Sequence, residues 1–347
     1  MHPIIPTISP VITLLSCCFG SFIFCILGIR VLLHYMRKHR KFQPIRAEGP
    51  ESHQKKVGTP TMAGLAVSLV ILLDMILFCD LGSPQIQVAI YFVIVFSAIG
   101  LADDVLKVFW DNPKGFQGSK KLVLQLLLTA GGILYLFYRN PEYLSSDLLL
   151  PFGLRFPLYA LAPVFYVLII CGSSNAANMT DGLDGLLAVP VMAIGVTMLA
   201  TLVTPWGQHY FSAMLDRRLL FDLIIILTAI VASFGGFLVY NIHPAKVFLG
   251  DVGSLMIGSL LCYIAILLGI ELAYGLMATL FIVEILSTVL QIGCFKITGR
   301  RLFKMAPFHH HLEKSGMAEK KVVTMLWFFN LGCCFFAFLM LYCSVIC

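Results

Sequence analysis

Ten predominantly apolar stretches, joined by short polar loops, occupy most of the 347-residue chain. They lie at residues 11–36, 62–79, 86–102, 121–138, 156–172, 185–204, 219–240, 252–270, 273–295 and 322–346. A helix of about 20 apolar residues crosses the hydrocarbon of a bilayer. A mean hydropathy of +0.92 and a charged fraction of only 12% do not fit a soluble domain. The sequence therefore predicts an all-α polytopic protein of the lipid bilayer, with about ten transmembrane helices in a single domain over residues 1–347.

The basic residues predict the orientation of these helices. Nineteen of the 24 Lys and Arg residues lie in the first, third, seventh and ninth loops, and the opposite side has only Arg139, Arg155, Arg217 and Arg218. Short loops rich in Lys and Arg stay in the cytoplasm. Those four loops are therefore expected inside, with both termini on the outer side. The fifth loop, which has no Lys or Arg, is placed inside by alternation.

The third loop begins with two adjacent carboxylates followed by a lysine. Asp103 and Asp104 precede Lys107 by four and three residues, so a continued helix would place the ammonium beside both carboxylates. This arrangement is able to bind a divalent metal and a phosphate together. The alternative is a helix end with solvated charges.

The fifth loop repeats a polar residue at every third position, at Asn175, Asn178, Asp181 and Asp184. A helical path would align these four oxygen-bearing side chains along one stripe. Gly182 permits a tight bend and a close approach of backbone to a ligand. An ordinary N-cap and turn is the alternative, although capping requires only one such residue.

The seventh loop contains Gly250, Asp251 and Gly253 at the start of the eighth apolar stretch. The two glycines would leave the backbone amides of a helix N-terminus accessible to a phosphate or to a metal-bound phosphate. Asp251 is also a normal N-cap residue, and capping is compatible with metal binding.

The ninth loop carries three consecutive histidines, His309, His310 and His311. Neighbouring residues on a helix point about 100° apart, so all three cannot easily converge on one ion. Phosphate contact or proton transfer by one of them fits better than a zinc site. Taken alone, the run would be interpreted as solvated histidines.

The composition of these four loops favours one kind of chemistry. They are rich in Asp, Asn and Lys and poor in soft ligands, which indicates Mg²⁺ with phosphate rather than zinc or redox chemistry. The chain has no Walker A or kinase glycine-rich loop, so ATP bound in either of those ways is not expected as the phosphate donor.

Taken together, the four loop motifs resemble the polyprenyl-phosphate N-acetylhexosamine-1-phosphate transferases over nearly the whole chain. Within that superfamily, the unbroken histidine run followed by Glu313, and the segment 56–62, look like the phospho-N-acetylmuramoyl-pentapeptide transferases. Leu312, where an aromatic residue is expected, is a small departure from the pattern. The motifs are Asp103-Asp104-x-x-Lys107, Asn175-x-x-Asn178-x-x-Asp181-Gly182-Leu183-Asp184-Gly185, Phe248-Leu249-Gly250-Asp251-Val252-Gly253-Ser254 and Pro307-Phe308-His309-His310-His311.

This resemblance implies a reaction of peptidoglycan synthesis. UDP-N-acetylmuramoyl-pentapeptide and undecaprenyl phosphate would give undecaprenyl-diphospho-N-acetylmuramoyl-pentapeptide, called lipid I, and UMP. It also implies a Mg²⁺ cofactor and a location in the bacterial inner membrane, with the active site facing the cytoplasm. No nucleic acid is expected as a partner, and the oligomeric state is left open, with a homodimer as one alternative.

The resemblance also implies roles for individual residues. Asp103, Asp104, Asp251 and His309 are the expected catalytic residues. Asp251 is the first choice as Mg²⁺ ligand, with Asp103 and Asp104 beside the metal, and Asp103 is the expected base for the lipid phosphate.

The expected substrate-binding residues divide between the nucleotide, the diphosphate and the sugar. Phe248 would stack on the uracil, and Asp184 would accept a hydrogen bond from its ring nitrogen. Asn178 and Asp181 would line the sugar and diphosphate region. The full set is Lys56, Thr61, Lys107, Lys121, Asn175, Asn178, Asp181, Gly182, Leu183, Asp184, Asn241, Phe248, Gly250, Gln291, His310 and His311.

Three acidic residues fall inside apolar stretches, where a charge is costly. Asp74 and Asp222 lie near the outer ends of their stretches, where hydration is expected. Glu284 is nearer the middle of its stretch and is expected to face the bundle interior, with no catalytic role assigned.

Two alternatives remain open at this point. A sibling transferase that uses UDP-N-acetylglucosamine would share the metal site and differ in its sugar pocket. A secondary transporter would place its polar residues near the bilayer midplane and show a repeat between its halves, whereas the motifs here are at one interface.

Overall fold

The computed structural model describes residues 9–39, 59–110, 115–140 and 147–346, and it is almost entirely helical. Lys56 lies outside the described residues. A short hairpin pairs β1 (Asp147–Leu149) antiparallel with β2 (Arg155–Pro157). The α-helices of the described ranges are α1 (Pro10–Lys38), α2 (Gly64–Phe78), α3 (Pro84–Val108), α4 (Gly118–Arg139), α5 (Ala162–Thr180), α6 (Ala188–Val203), α7 (Pro205–Met214), α8 (Arg217–Asn241), α9 (Asp251–Leu268), α10 (Glu271–Met277), α11 (Thr279–Thr298), α12 (Phe308–Lys314) and α13 (Glu319–Ile346).

Every predicted apolar stretch overlaps at least one of these helices, which confirms the all-α polytopic fold class. Eight helices among the described residues are long and apolar enough to cross a membrane. The pair α6 and α7, bent by 82° at its break, makes a ninth span if it is counted as one, and α2 is an apolar helix of only 15 residues. The stretch predicted at 273–295 is not continuous, because α10 and α11 are separated at Ala278.

Helix α9 forms the centre of the bundle. Seventeen of its 18 residues are buried, and it packs against α2, α3 and α5. Glycines allow the backbones to approach closely, as is common between membrane helices. At Gly100 of α3, an added Cβ would lie 2.5 Å from the Cα of Val252. Since Gly100 is one turn before Asp103 and Asp104, this contact brings the start of α9 to the carboxylates of α3.

Two of the acidic residues inside the apolar stretches have structural partners. Asp74 accepts a hydrogen bond from Ser21 Oγ at 2.6 Å. Asp222 pairs with Arg218 at 3.1 Å and accepts a hydrogen bond from the backbone N–H of Asp80 at 3.0 Å. Both carboxylates are buried, so the expectation that they are hydrated at the outer membrane surface is wrong. Protein groups supply the partners that water was expected to supply.

Candidate active site

The site centres on a cluster of carboxylates and lysines at the junction of α3, α4 and α9. Lys107 Nζ lies 2.7 Å from Asp103 Oδ2 and 3.3 Å from Asp251 Oδ2. Lys121 Nζ contacts the same two oxygens, at 3.2 Å and 2.5 Å. The helical spacing from Asp103 to Lys107 therefore forms the expected ion pair. Two ammonium groups bridge carboxylates that are separated by about 150 residues in the sequence.

Asp104 bonds to the start of α9, and among the described residues the ion pairs of Lys107 and Lys121 are with Asp103 and Asp251 and not with Asp104. Its Oδ2 accepts a hydrogen bond from the backbone N–H of Val252 at 3.1 Å, and the side chain is 2% exposed. Gly250 has φ +79°, and a Cβ there would lie 2.5 Å from Asp104 Oδ2. Asp104 thus caps α9 from a neighbouring helix, in the place where the partial positive charge of a helix N-terminus favours an anion.

The fifth-loop residues do not form the predicted four-residue stripe. Helix α5 ends at Thr180, so Asp181 and Asp184 lie beyond the helix and only Asn175 and Asn178 remain on it. Asn178 Nδ2 donates to Asp251 Oδ1 at 2.9 Å and to Ser254 Oγ at 2.8 Å.

Asn175 lies one turn deeper in the bundle than Asn178. Its Nδ2 donates to Gln125 Oε1 at 2.7 Å and to the carbonyl of Cys171 at 2.8 Å. The stripe prediction was wrong because it assumed that the helix continues to Asp184. Only Asn178 of the four residues bonds to Asp251.

Asp181 lies just past the end of α5, beside the carboxylate cluster. Burial and the nearby negative charge of Asp251 raise the pKa of Asp181 to about 7. Asp181 therefore changes its protonation state near neutral pH.

Thr61 reaches the same cluster from the segment that precedes α2. Its Oγ1 is buried without a hydrogen-bond partner, and a Cβ on Gly250 would lie 3.0 Å from it. This segment runs alongside Phe248, whose backbone N–H donates to the carbonyl of Pro60 at 2.9 Å. An unpartnered buried hydroxyl at this position is available to a ligand.

His309 is the most buried of the three histidines and has a specific anchor. Its backbone N–H donates to Glu284 Oε2 at 3.3 Å, and its Nδ1 lies 3.1 Å from the same oxygen. Its Nε2 is buried without a partner and faces Gly182, where the ring occupies the space that a Cβ would need. Glu284 does face the bundle interior, as expected. Its contact with His309 was not predicted, although a buried carboxylate inside a span was a signal for it.

His310 and His311 have different partners from His309. His310 Nδ1 lies 2.8 Å from Glu313 Oε2. His311 Nδ1 accepts from the backbone N–H of Lys304 at 3.2 Å, and its ring stacks against Phe308. The three rings point to three separate partners, in agreement with the expectation that they do not converge on one ion.

The predicted uridine pocket lies where the fifth and seventh loops meet. Asp184 Oδ2 lies 2.8 Å from His243 Nδ1 and accepts from the backbone N–H of Ala245 at 3.0 Å. Asn241 accepts from the N–H of Gly185 and donates to the carbonyl of Val247, each at 2.9 Å. Asn241 thus joins the two loops through both ends of its amide.

One further group of possible metal ligands occurs in the described part of the chain. Atoms of Asp184, His243 and Glu319 all lie within 4.8 Å of one another. The 2.8 Å separation between Asp184 and His243 is a hydrogen-bond distance. Glu319 Oε1 accepts from the backbone N–H of Asp184 at 3.2 Å. Hydrogen bonding therefore explains this group without an ion.

Two predicted substrate-binding residues are engaged with protein atoms. Gln291 Oε1 accepts from the backbone N–H groups of Leu302 and Phe303, at 3.0 Å and 2.8 Å. Leu183 packs in a small buried cluster with apolar residues of α11 and α13, including Leu280 and Val322. These contacts give both residues a structural role, and their roles in binding stay predictions.

The carboxylate cluster fits Mg²⁺ by its donor chemistry. Asp103, Asp104 and Asp251 offer carboxylate oxygens, which are the ligands that Mg²⁺ prefers. The ammonium groups of Lys107 and Lys121 contact Asp251 Oδ2, so both would have to shift for that oxygen to bind a metal. Cationic charge is thus present where a metal or a phosphate would bind.

Fold and site together define a membrane-embedded transferase that acts on phosphorylated sugars. Residues 86–269 match the family model described as Glycosyl transferase family 4, and the chain belongs to this family. The match supports the polyprenyl-phosphate hexosamine-1-phosphate transferase superfamily that the motifs resemble, and it disfavours the transporter alternative. The matched segment includes the carboxylate cluster and both loops of the predicted uridine pocket, and it ends before the histidine run.

Proposed function

We propose that this protein transfers phospho-N-acetylmuramoyl-pentapeptide from its UDP-linked precursor to undecaprenyl phosphate, which gives lipid I and UMP. The observation that supports it most directly is the cluster in which Lys107 and Lys121 bridge Asp103 and Asp251. Catalysis of phosphoryl transfer is mostly positioning and charge neutralisation, and this cluster offers groups for both. The choice of sugar rests on the unbroken run His309–His311 and the segment 56–62.

We place this site on the cytoplasmic face of the bacterial inner membrane. The proposal follows from the basic loops, which carry most of the Lys and Arg residues. A soluble nucleotide sugar and a membrane-anchored lipid phosphate have to meet at that interface.

In the proposed mechanism, Asp103 accepts the proton of the lipid phosphate. An oxygen of that phosphate attacks the sugar-linked phosphorus, and the bond from this phosphorus to the bridging oxygen of the diphosphate breaks, so that UMP leaves. Mg²⁺ held by Asp251, with Asp103 and Asp104, would neutralise charge on the diphosphate. Lys107 and Lys121 turn from the carboxylates to the phosphates and stabilise the charge on the departing UMP.

The proposed order of chemistry is direct attack by the lipid phosphate. The alternative is attack by a carboxylate such as Asp251, which would form a phospho-sugar enzyme and release UMP before lipid arrives. In the structure Asp251 accepts from two ammonium groups and an amide. These contacts make it a poor nucleophile.

Isotope exchange distinguishes the two orders. Labelled UMP is incubated with enzyme, Mg²⁺ and UDP-N-acetylmuramoyl-pentapeptide in the rigorous absence of lipid phosphate. We expect no label in the nucleotide sugar. Exchange at a rate comparable with turnover would refute direct attack and support the covalent route.

The reaction itself is tested with purified protein in detergent. Radiolabelled UDP-N-acetylmuramoyl-pentapeptide, undecaprenyl phosphate and Mg²⁺ should give lipid-extractable label, and labelled UDP-N-acetylglucosamine should not. Transfer from UDP-N-acetylglucosamine alone would favour the sibling transferase. Failure of both donors would contradict the proposal.

A further inference from the structure

One basic residue belongs to neither the polar loops nor the outer side. Arg30 is the one Lys or Arg of the 24 that lies well inside an apolar stretch. It is in α1, eight residues before Lys38, the last residue of that helix. A count of about 20 residues from Pro10 reaches Arg30, which places it where the hydrocarbon ends and the lipid phosphates begin.

Arg30 lines a cavity of about 690 Å³ between α1 and the loop that joins α8 to α9. Arg30, His34 and Arg37 are spaced by four and three residues, so they share one face of α1. Lys246 enters the same cavity from the other loop. The polar residues that line the cavity are Arg30, His34, Arg37, Lys38, Tyr240 and Lys246.

The positive charge of this cavity is not balanced by acidic groups of the described residues. Among the described residues, no Asp or Glu forms an ion pair with Arg30, Arg37, Lys38 or Lys246. Four cations around one cavity repel one another, and the repulsion is relieved by a bound anion. Arginine in particular binds phosphate through two parallel hydrogen bonds.

The surroundings of the cavity favour a lipid as the source of that phosphate. Val31 and Tyr35 are exposed on α1 next to the basic residues. They offer an apolar surface for acyl chains beside a basic surface for a headgroup. A lipid would contact both the apolar and the basic surface, whereas a soluble phosphate would contact only the cations.

General membrane anchoring is the simpler explanation for basic residues at this end of α1. It accounts for Arg37 and Lys38, which terminate the helix. It does not account for the convergence of Lys246, from a separate loop, on the cavity that Arg30 lines.

We propose that this cavity binds the phosphate headgroup of an anionic lipid in the leaflet that faces the active site. The proposal is independent of the sugar and acceptor assigned above. It concerns a cavity lined by residues that carry no role in the proposed reaction.

Lipid retention tests the proposal directly. The full-length protein in detergent is titrated with phosphatidylglycerol, and bound lipid is counted by native mass spectrometry. Each cation near an anionic headgroup contributes roughly a fivefold factor in affinity. We therefore expect a weakening of about 25-fold for the double variant Arg30→Gln, Arg37→Gln. The charge-matched control is Lys296→Gln, Arg301→Gln, two exposed cations away from the cavity, which should retain lipid as the native protein does.

Further measurements distinguish a lipid phosphate from a soluble phosphate, and a third variant separates a loss of binding from a folding defect. Phosphatidylcholine should bind more weakly than phosphatidylglycerol, and inorganic phosphate or UMP should not displace the bound lipid. Lys246→Gln changes only an exposed loop cation and should weaken binding about fivefold even if the double variant does not fold. Equal losses in the control pair, unchanged binding in Lys246→Gln, or displacement by a soluble phosphate would each overturn the proposal.

Discussion

The contact between Glu284 and His309 gives the sharpest test of the site. Both side chains are at most 1% exposed, and one carboxylate oxygen meets two donor positions of His309, its backbone N–H and Nδ1. A proton on Nδ1 leaves Nε2 with a free lone pair on the side that faces Gly182. Glu284 therefore sets the tautomer and the direction of the ring, and Nε2 is the ring nitrogen that has no hydrogen-bond partner among the described residues.

Two substitutions at Glu284 distinguish the loss of its contact with His309 from a general loss of structure. Glu284→Ala leaves two buried donors without an acceptor, at about 1 to 3 kcal/mol each, so we expect a destabilisation of about 2 to 6 kcal/mol. Glu284→Gln keeps the volume and one carbonyl acceptor, and should cost only about 1 kcal/mol. In the alanine variant the ring loses its fixed direction, and a misplacement of this kind lowers turnover by about 100-fold, whereas the glutamine variant should keep the direction of the ring and most of the turnover.

The assay is lipid I formation, measured as kcat and KM on the fraction that remains folded, with thermal unfolding recorded in the same detergent. Asp74→Asn is the matched control, because Asp74 is also a buried acid in a span and its partner is Ser21. It should lower stability and leave kcat unchanged. The reasoning fails if Glu284→Ala keeps native kcat in the folded fraction, or if Asp74→Asn lowers kcat by as much.

Three further predictions concern the rest of the site. Asp251→Asn should abolish transfer, by at least about 1000-fold, while the protein stays folded, and near-normal activity at ordinary Mg²⁺ would contradict the assignment. Phe248→Ala should weaken UMP binding by about 1 to 3 kcal/mol, the scale of base stacking on an aromatic ring, and calorimetry that finds an unchanged Kd would remove Phe248 from the pocket. Because the pKa of Asp181 is raised to about 7 in the folded protein, its contribution to stability is greatest below the unfolded pKa near 4 and is lost as pH rises toward 7. Asp181→Asn should therefore be more stable than the native protein at pH 8, with a difference that shrinks toward pH 4, and a difference in melting temperature that does not vary with pH would be evidence against it.

The sequence was sufficient to predict the fold class and the local pairing in the third loop. Length and hydropathy alone indicate membrane helices, because the bilayer imposes a minimum span. The spacing of Asp103 and Lys107 gives an ion pair at 2.7 Å because both lie on one continuous helix. Both predictions depend only on residues that are close in sequence.

The contacts that were missed depend on how helices pack. Asn175 donates a hydrogen bond to Gln125 of α4, and Asn241 joins two loops by hydrogen bonds to their backbone groups. Glu284 and His309 belong to different helices. Periodicity does not specify which helices become neighbours, so these partners could not be read from spacing. The stripe from Asn175 to Asp184 failed because it extended the helix past Gly182, although a glycine that permits a tight bend was a signal that α5 ends nearby, at Thr180.

The close packing at Gly100 determines which parts of the site are able to move. An added methyl group at this position would collide with the backbone of α9, so the two helices have no room to approach each other more closely when a ligand binds. This contact consequently sets the smallest spacing that the carboxylates at their ends can adopt. Adjustment to a substrate, a product or an inhibitor is left to the flexible side chains of Lys107 and Lys121. A ligand that demands a closer approach of Asp103 and Asp251 than this backbone contact permits would be rejected, however well its charges matched.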